Sequence, residues 1–399
     1  MAVWDDLVGQ SAVVAQLSAA ARDADAYVTA AERGEQLAVA GSAMTHAWLF
    51  TGPPGSGRST AARAFAAALQ CRSPDRALGG QPGCGFCEGC HTALVGTHAD
   101  VEVVRTELLT IGVKETRELV RRAQLSPAGG RWQAIVMEDA DRLTEGAGNV
   151  LLKAVEEPAP RTVWLLCAPS TEDVLPTIRS RCRQLALRTP PVPAVADVLV
   201  RRDGIEPDVA LAAARATQGH IGRAKRLATD ERARARRATV LRLPERVADV
   251  GGCLRAAQEL VDAAAEDARQ LAEELDAKET EELRAALGAA EGKRLPRGTA
   301  GAMKELEDRQ KRRATRTQRD ALDLALTDLT GFYRDVLARQ FGSEIALAGD
   351  AASAVERVAV ASSPERTLLR MEAVLDCRAA LDRNVAPLLA VEAMTMALR

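Results

Sequence analysis

The sequence predicts an α/β domain, a parallel sheet covered by helices, that carries an inserted cysteine module and is followed by a small helical lid and an all-helical C-terminal domain. Three observations predict it. Short apolar runs alternate with helix-patterned segments through residues 1–190, the pattern of strands that pair in parallel through helical crossovers. The run "TPPVP" at 189–193 places three prolines in five residues, which reads as a linker. From residue 241 onward the apolar spacing is helical almost throughout.

The elements follow in chain order. "HAWLF" at 46–50 is a short apolar run that ends at a glycine-rich loop, and "TAARAFAAALQ" beyond it is strongly helical. Further strands are expected at 101–104, at 134–137 ("AIVM") and at 162–168 ("TVWLLCA"), with helices in "KETRELVRRAQ" and "NVLLKAVEE" between them. Residues 191–240 contain short helical stretches around the glycines of "QGHIGRAKRLA", as in a helical lid, and 241–399 form the third domain. The composition of "DADAYVTAAERGEQLAVAGSA" at 23–43 favours helix, whereas the glycine-rich, charged stretch at 288–301 reads as a mobile loop.

Composition narrows the class of function. The chain has 399 residues, enough for two or three domains, and aromatic residues make up only 3% of it, which favours helix over strand. A formal charge of -2 gives no overall basic footprint, so any contact with nucleic acid is local or shared with other subunits. Acidic residues in "MAVWDDLVGQ" stand where a signal peptide is basic, and no long apolar run follows, so a cytoplasmic protein is expected.

The loop "GPPGSGRS" at 52–59 departs by one letter from the phosphate-binding pattern G-x-x-x-x-G-K-[ST]: Gly52, Gly57 and Ser59 fit, and Arg58 stands at the lysine. Such a loop presents backbone N–H groups and a helix N-terminus to phosphates. Gly52, Gly55 and Gly57 keep that backbone possible, with Arg58, Ser59 and Thr60 opening the helix. A forked guanidinium does not reproduce the geometry of a compact ammonium, so ATP or ADP binding can survive where hydrolysis does not. The second nucleotide motif calls for Asp then Glu after an apolar strand, but "IVMEDAD" has Glu138 and Asp139 in reversed order. Inversion displaces both the metal ligand for Mg2+ and the group that polarises water. The plainer alternatives are a glycine turn and an acidic strand end with no nucleotide role.

Cys71, twelve residues, and then Cys84, Cys87 and Cys90 of "CGFCEGC" offer four thiolates, the closed tetrahedral set of a structural zinc site. His91 is the alternative fourth ligand. Cys167, Cys182, Cys253 and Cys377 are scattered and read as core residues. "TIRSRCR" at 177–183 puts arginines beyond the fourth strand, where one could reach a neighbouring subunit's nucleotide or stay a solvated surface. The arginines of 201–237 read as a solvated face, with DNA tracking as the alternative.

Together, "WDDLVGQ", "HAWLFTGPPGSGRS", the four cysteines, "NVLLKAVEEP" and "SRC" at 180–182 resemble the delta-prime family of bacterial DNA polymerase III clamp-loader subunits, within the AAA+ proteins. "GFYRDVL" and "LDRNVAPLLAVEAM" are similar to that family's oligomerising collar. The resemblance implies that Arg181 acts across a subunit interface as an arginine finger. It also implies as partners the gamma/tau motor subunits, the delta subunit, the sliding clamp and primer-template DNA held by the assembled loader. Arg58, the Glu138-Asp139 order, and Gly222 where a motor's second sensor arginine falls separate the chain from the gamma/tau motors. The isolated chain is therefore expected not to hydrolyse ATP; an autonomous AAA+ ATPase and a zinc-dependent DNA-binding module are the competing classes.

Overall fold

The computed structural model describes residues 2–34, 42–75, 80–106, 108–129, 131–286, 300–343 and 350–399. Contacts divide them into two units: 1–106 with 110–225, and 226–399 with 107–109.

The first unit is built on five parallel strands, β1 (Ala47–Thr51), β2 (Val101–Val104), β3 (Gln133–Met137), β4 (Thr162–Ala168) and β5 (Arg183–Ala186), in the order β2-β3-β4-β1-β5. Every residue of β1, β3 and β4 is buried, as expected for strands covered on both faces, where apolar runs are continuous rather than alternating. The strands expected from sequence form within a residue of their anticipated ends. The edge strand β5 was not anticipated: of its four residues only Leu185 is buried, so "RQLA" carries no apolar run to read.

Helices cover both faces. On one side α1 (Ser11–Glu32) and α2 (Arg58–Leu69) pack on Trp48 and Phe50 of β1, with Trp48 edge-on to Phe65 at 5.2 Å. On the other, α4 (Val113–Ala123) and α5 (Glu145–Glu156) meet Ala47, Leu49, Ile135 and Trp164. Between these lie the short α3 (Glu88–Val95), beside the cysteine module, and α6 (Pro176–Arg179), before β5. α1 includes residues 23–32 of the stretch expected to be helical; 35–41 lie outside the described residues.

The proline run leads directly into α7 (Val192–Asp203), with Pro191 at its N-cap and Pro193 in its first turn, positions that tolerate a missing N–H. α7, α8 (Pro207–Ala216) and the first half of α9 (Ile221–Thr229) cluster with the sheet. The second unit is helical among its described residues: α10 (Glu231–Leu241), α11 (Leu243–Arg246), α12 (Val250–Ala286), α13 (Ala300–Gln340), α14 (Asp350–Ala361), α15 (Pro364–Asp382) and α16 (Pro387–Leu398). Leu322, Leu326, Leu329, Phe332, Tyr333 and Val336 of α13 repeat at helical spacing and are fully buried at the centre of its core. Of the stretch at 288–301, residues 288–299 lie outside the described residues.

Candidate nucleotide site, metal centre and exported arginine

The glycine loop runs from the end of β1 to the start of α2, the strand-loop-helix order that a phosphate site requires. Gly57 caps α2 at φ 91°, and Gly55 has φ 86°, values that only glycine adopts freely. The loop is tied down from elsewhere in the chain. Gln10 donates from Nε2 to Ser56 O at 3.2 Å and to Arg188 O at 2.5 Å, while its Oε1 accepts from Arg188 N at 3.3 Å. Gln10 closes the quoted "WDDLVGQ", where nothing in the spacing marks it as a loop anchor.

Arg58 is the first residue of α2. Burial pushes its guanidinium below the usual arginine range, against the attraction of Cys167, Asp141, Asp139 and Asp173. Its Nη1 and the hydroxyl of Ser56 are buried with no hydrogen-bond partner among the described residues. A buried cationic nitrogen without a hydrogen-bond acceptor at a helix N-terminus suits an anionic ligand. Gly52, Gly55, Gly57, Arg58, Ser59 and Thr60 are thus the residues that would hold the phosphates of a nucleotide.

The acidic pair is engaged in the protein's own structure. Glu138 accepts from Arg63 Nε of α2 at 2.7 Å, an ion pair with the glutamate side chain 11% exposed. Asp139 accepts the backbone N–H of Thr106 through Oδ2 at 3.1 Å and lies 3.9 Å from Arg142. Asp141, two residues on, has its carboxyl pushed up by burial. Nothing in the helix composition "RSTAARAF" distinguishes Arg63, and Asp141 closes "IVMEDAD" two residues beyond the acidic pair that the motif draws attention to.

His220 is a further residue that sequence reasoning does not single out. It precedes α9, and its Nδ1 accepts the N–H of Arg223 at 3.3 Å, the role of an N-cap. Its ring lies against Gly55: a Cβ placed on that glycine would sit 2.5 Å from His220 Cγ. Burial first, then the charges of Arg223 and Arg58, draw its pKa down to about 4.

The four cysteines gather with every pair of sulfurs within 4.8 Å. Cys84 Sγ is 4.0 Å from Cys90 Sγ, and Cys87 Sγ is 4.0 Å from Cys71 Sγ. Four sulfurs at about 2.3 Å from a tetrahedral ion stand about 3.8 Å apart, so this donor set fits a metal. Backbone N–H groups of Arg72, Cys87 and Cys90 point at the sulfurs at 3.3–3.5 Å, and the positive φ of Gly83 and Gly85 makes the turns. The Cys71 thiol is drawn down to about 4, chiefly by the hydrogen bond from Cys90, whose own thiol is pushed up in return. His91, the alternative ligand, is exposed on α3 and outside this group. Val3 N and Trp4 Nε1 donate to Gly83 O and Pro82 O at 2.9 and 3.1 Å, which binds the module to the N-terminus. Cys167, Cys182, Cys253 and Cys377 are buried.

Arg181 follows α6 and stands at the surface with its side chain 38% exposed. It pairs with Glu156 at the end of α5, and its Nη1 donates to Thr177 O at 2.8 Å and to Ser180 Oγ at 3.2 Å. Partial exposure and a purely surface ion pair leave the guanidinium inexpensive to redirect.

A parallel sheet with the order β2-β3-β4-β1-β5, a glycine loop from β1 into α2, and an acidic pair at the end of β3 make an AAA+-type α/β fold, joined to a second unit that is helical among its described residues. Residues 35–191 match the family described as "DNA polymerase III, delta subunit". The chain is 38% identical over 169 residues to the DNA polymerase III subunit delta' of Pseudomonas aeruginosa, covering 42% of this chain and 50% of that one. It is 34% identical over 181 residues to the delta' subunit of Escherichia coli, covering 45% and 53%. To the subunit gamma/tau of Mycobacterium tuberculosis it is 32% identical over 201 residues, covering 50% of this chain and 31% of that one. The aligned part thus spans about half the length of the delta' relatives or less of the gamma/tau one. Among solved structures, a gamma subunit-related protein of Thermotoga maritima superposes with a TM-score of 0.37 at 15% identity, covering 88% of this chain and 93% of that one. Over this stretch the chain is thus similar to clamp-loader subunits of DNA polymerase III, of both the delta' and the gamma/tau type. No described helix is long and apolar enough to cross a membrane.

Proposed function

We propose that the chain is a delta-prime-type subunit that supports ATP-dependent loading of the sliding clamp onto primer-template DNA without hydrolysing ATP itself. The observation that carries this is the state of its own acidic pair: Glu138 is neutralised by Arg63 at 2.7 Å and Asp139 is spent on the backbone of Thr106. Both carboxylates are engaged by protein groups, and Arg58 replaces the ammonium that a hydrolysing loop uses; these support a loop that does not hydrolyse ATP. Nucleotide bound at this loop would be held rather than turned over. The four cysteines would hold a structural Zn2+, a closed site with no open position for chemistry.

Arg181, intact in "SRC" and partly exposed, would be donated in trans to the ATP of a neighbouring gamma/tau motor, leaving Glu156 on assembly. The C-terminal helices 241–399 would serve as the collar that joins motor and delta subunits, with 191–240 as the lid, in a cytoplasmic complex. Steady-state ATP hydrolysis tests the reading with the chain alone, with the reconstituted loader, and with the loader carrying Arg181→Ala. No turnover alone and a sharp loss in the Arg181→Ala loader support it. A second reading, a gamma/tau-type motor, is favoured by the 32% identity to the M. tuberculosis gamma/tau subunit; it requires turnover by the isolated chain.

A further inference from the structure

The glycine loop and the start of α9 meet through a side chain, the His220 ring against Gly55. We propose that His220 is a built-in latch, holding the phosphate loop to the N-terminus of α9 in the absence of nucleotide. The latch rests on the reading of this loop as a non-hydrolysing nucleotide site, and makes its shape independent of nucleotide.

Three features of geometry carry it. Gly55 is the point of contact: its built Cβ would lie 2.5, 2.7 and 2.8 Å from His220 Cγ, Cδ2 and Cβ, so only glycine admits the ring. Gly222, in the first turn of α9, faces the other end of the ring, with a built Cβ 3.6 Å from Cε1. Backbone bonds then fix the histidine. Its N–H donates to Thr217 O at 3.1 Å, its carbonyl accepts from Ala224 at 2.9 Å, and its Nδ1 accepts from Arg223. Gly219, at φ 84°, lets the chain pass close to Pro190, where a Cβ would be 2.4 Å from the carbonyl oxygen. The imidazole therefore arrives at the loop on a constrained turn, and its Nδ1 must be unprotonated to accept. The low pKa agrees with that state.

The test is hydrogen exchange of the full chain without nucleotide, comparing the wild type with His220→Asn. Asparagine retains an N-cap acceptor for Arg223 while removing the ring from Gly55, so α9 keeps its start. Exchange of the amides of Gly52 and of 55–60 about tenfold faster in the variant, with the α4 segment 113–123 unchanged, is the expected result. Unchanged exchange at these loop amides overturns the latch. Equal acceleration at 113–123 also overturns it, because His220 would then support the unit as a whole. Neither result depends on hydrolysis or on Arg181, so this test and that of the proposed function fail separately.

Discussion

At position 58 a guanidinium stands where hydrolysing loops place an ammonium, but the neighbouring carboxylates decide what that exchange means. Arg58→Lys restores the motif and nothing else: Glu138 remains paired with Arg63, and Asp139 remains bonded to Thr106. Steady-state ATPase of isolated Arg58→Lys is expected to stay at background, and turnover approaching that of a motor subunit would show that the lysine alone was missing. His220 gives a second prediction at this scale. Its pKa falls from the ordinary 6.5 to about 4 on folding, so the unfolded chain binds the proton more readily. The stability this contributes is complete above 6.5 and is lost progressively as pH falls toward 4. Urea midpoints measured from pH 7 to pH 4 should decline less in His220→Asn than in the wild type; parallel curves would contradict the assignment. The sequence displays the loop and the inverted acids because motifs depend on residue type and spacing, and Arg181 stands out through the resemblance carried by "SRC". It concealed Arg63, His220 and Gln10 because their roles arise from contacts across 75, 165 and 46 positions, to Glu138, Gly55 and Ser56.

Among elements, the cysteine module and α13 bear most on stability. The module brings its four sulfurs within 4.8 Å of one another, and it anchors Val3 and Trp4. Removing metal with a strong chelator is expected to alter Trp4 fluorescence and to lower Tm, with metal analysis falling from about one zinc per chain to none. Cys84→Ser should reproduce the effect; a chain that keeps its Tm and emission without metal would show the cluster to be dispensable. In α13, Phe332 is fully buried and edge-on to Tyr333 at 5.4 Å. Phe332→Ala should cost about 3–5 kcal/mol in chemical denaturation of the second unit, and a loss below about 1 kcal/mol would mean that the core there collapses to fill the space. Central strands such as "TVWLLCA" were readable because burial on both faces leaves an uninterrupted apolar run. β5 was not, since an edge strand buries one side chain in four and offers no period to detect.

For the whole molecule, the chain carries a glycine loop whose acidic pair is engaged by Arg63 and Thr106, and a surface arginine, Arg181, proposed to act on a neighbour. Arg181 rests on Glu156 by an exposed pair of small worth, so its removal should leave the isolated chain's Tm within about 1 °C. Its proposed value lies in the assembly, where an arginine finger contributes about 10³ or more to the hydrolysis rate at the site it completes. The most direct measurement is clamp- and DNA-stimulated ATP hydrolysis by loader reconstituted with wild-type chain or with Arg181→Ala, beside the isolated wild-type chain. The account predicts background turnover by the isolated chain and a sharp loss of stimulated hydrolysis in the Arg181→Ala loader. Turnover by the chain alone, or an Arg181→Ala loader as fast as wild type, would contradict it.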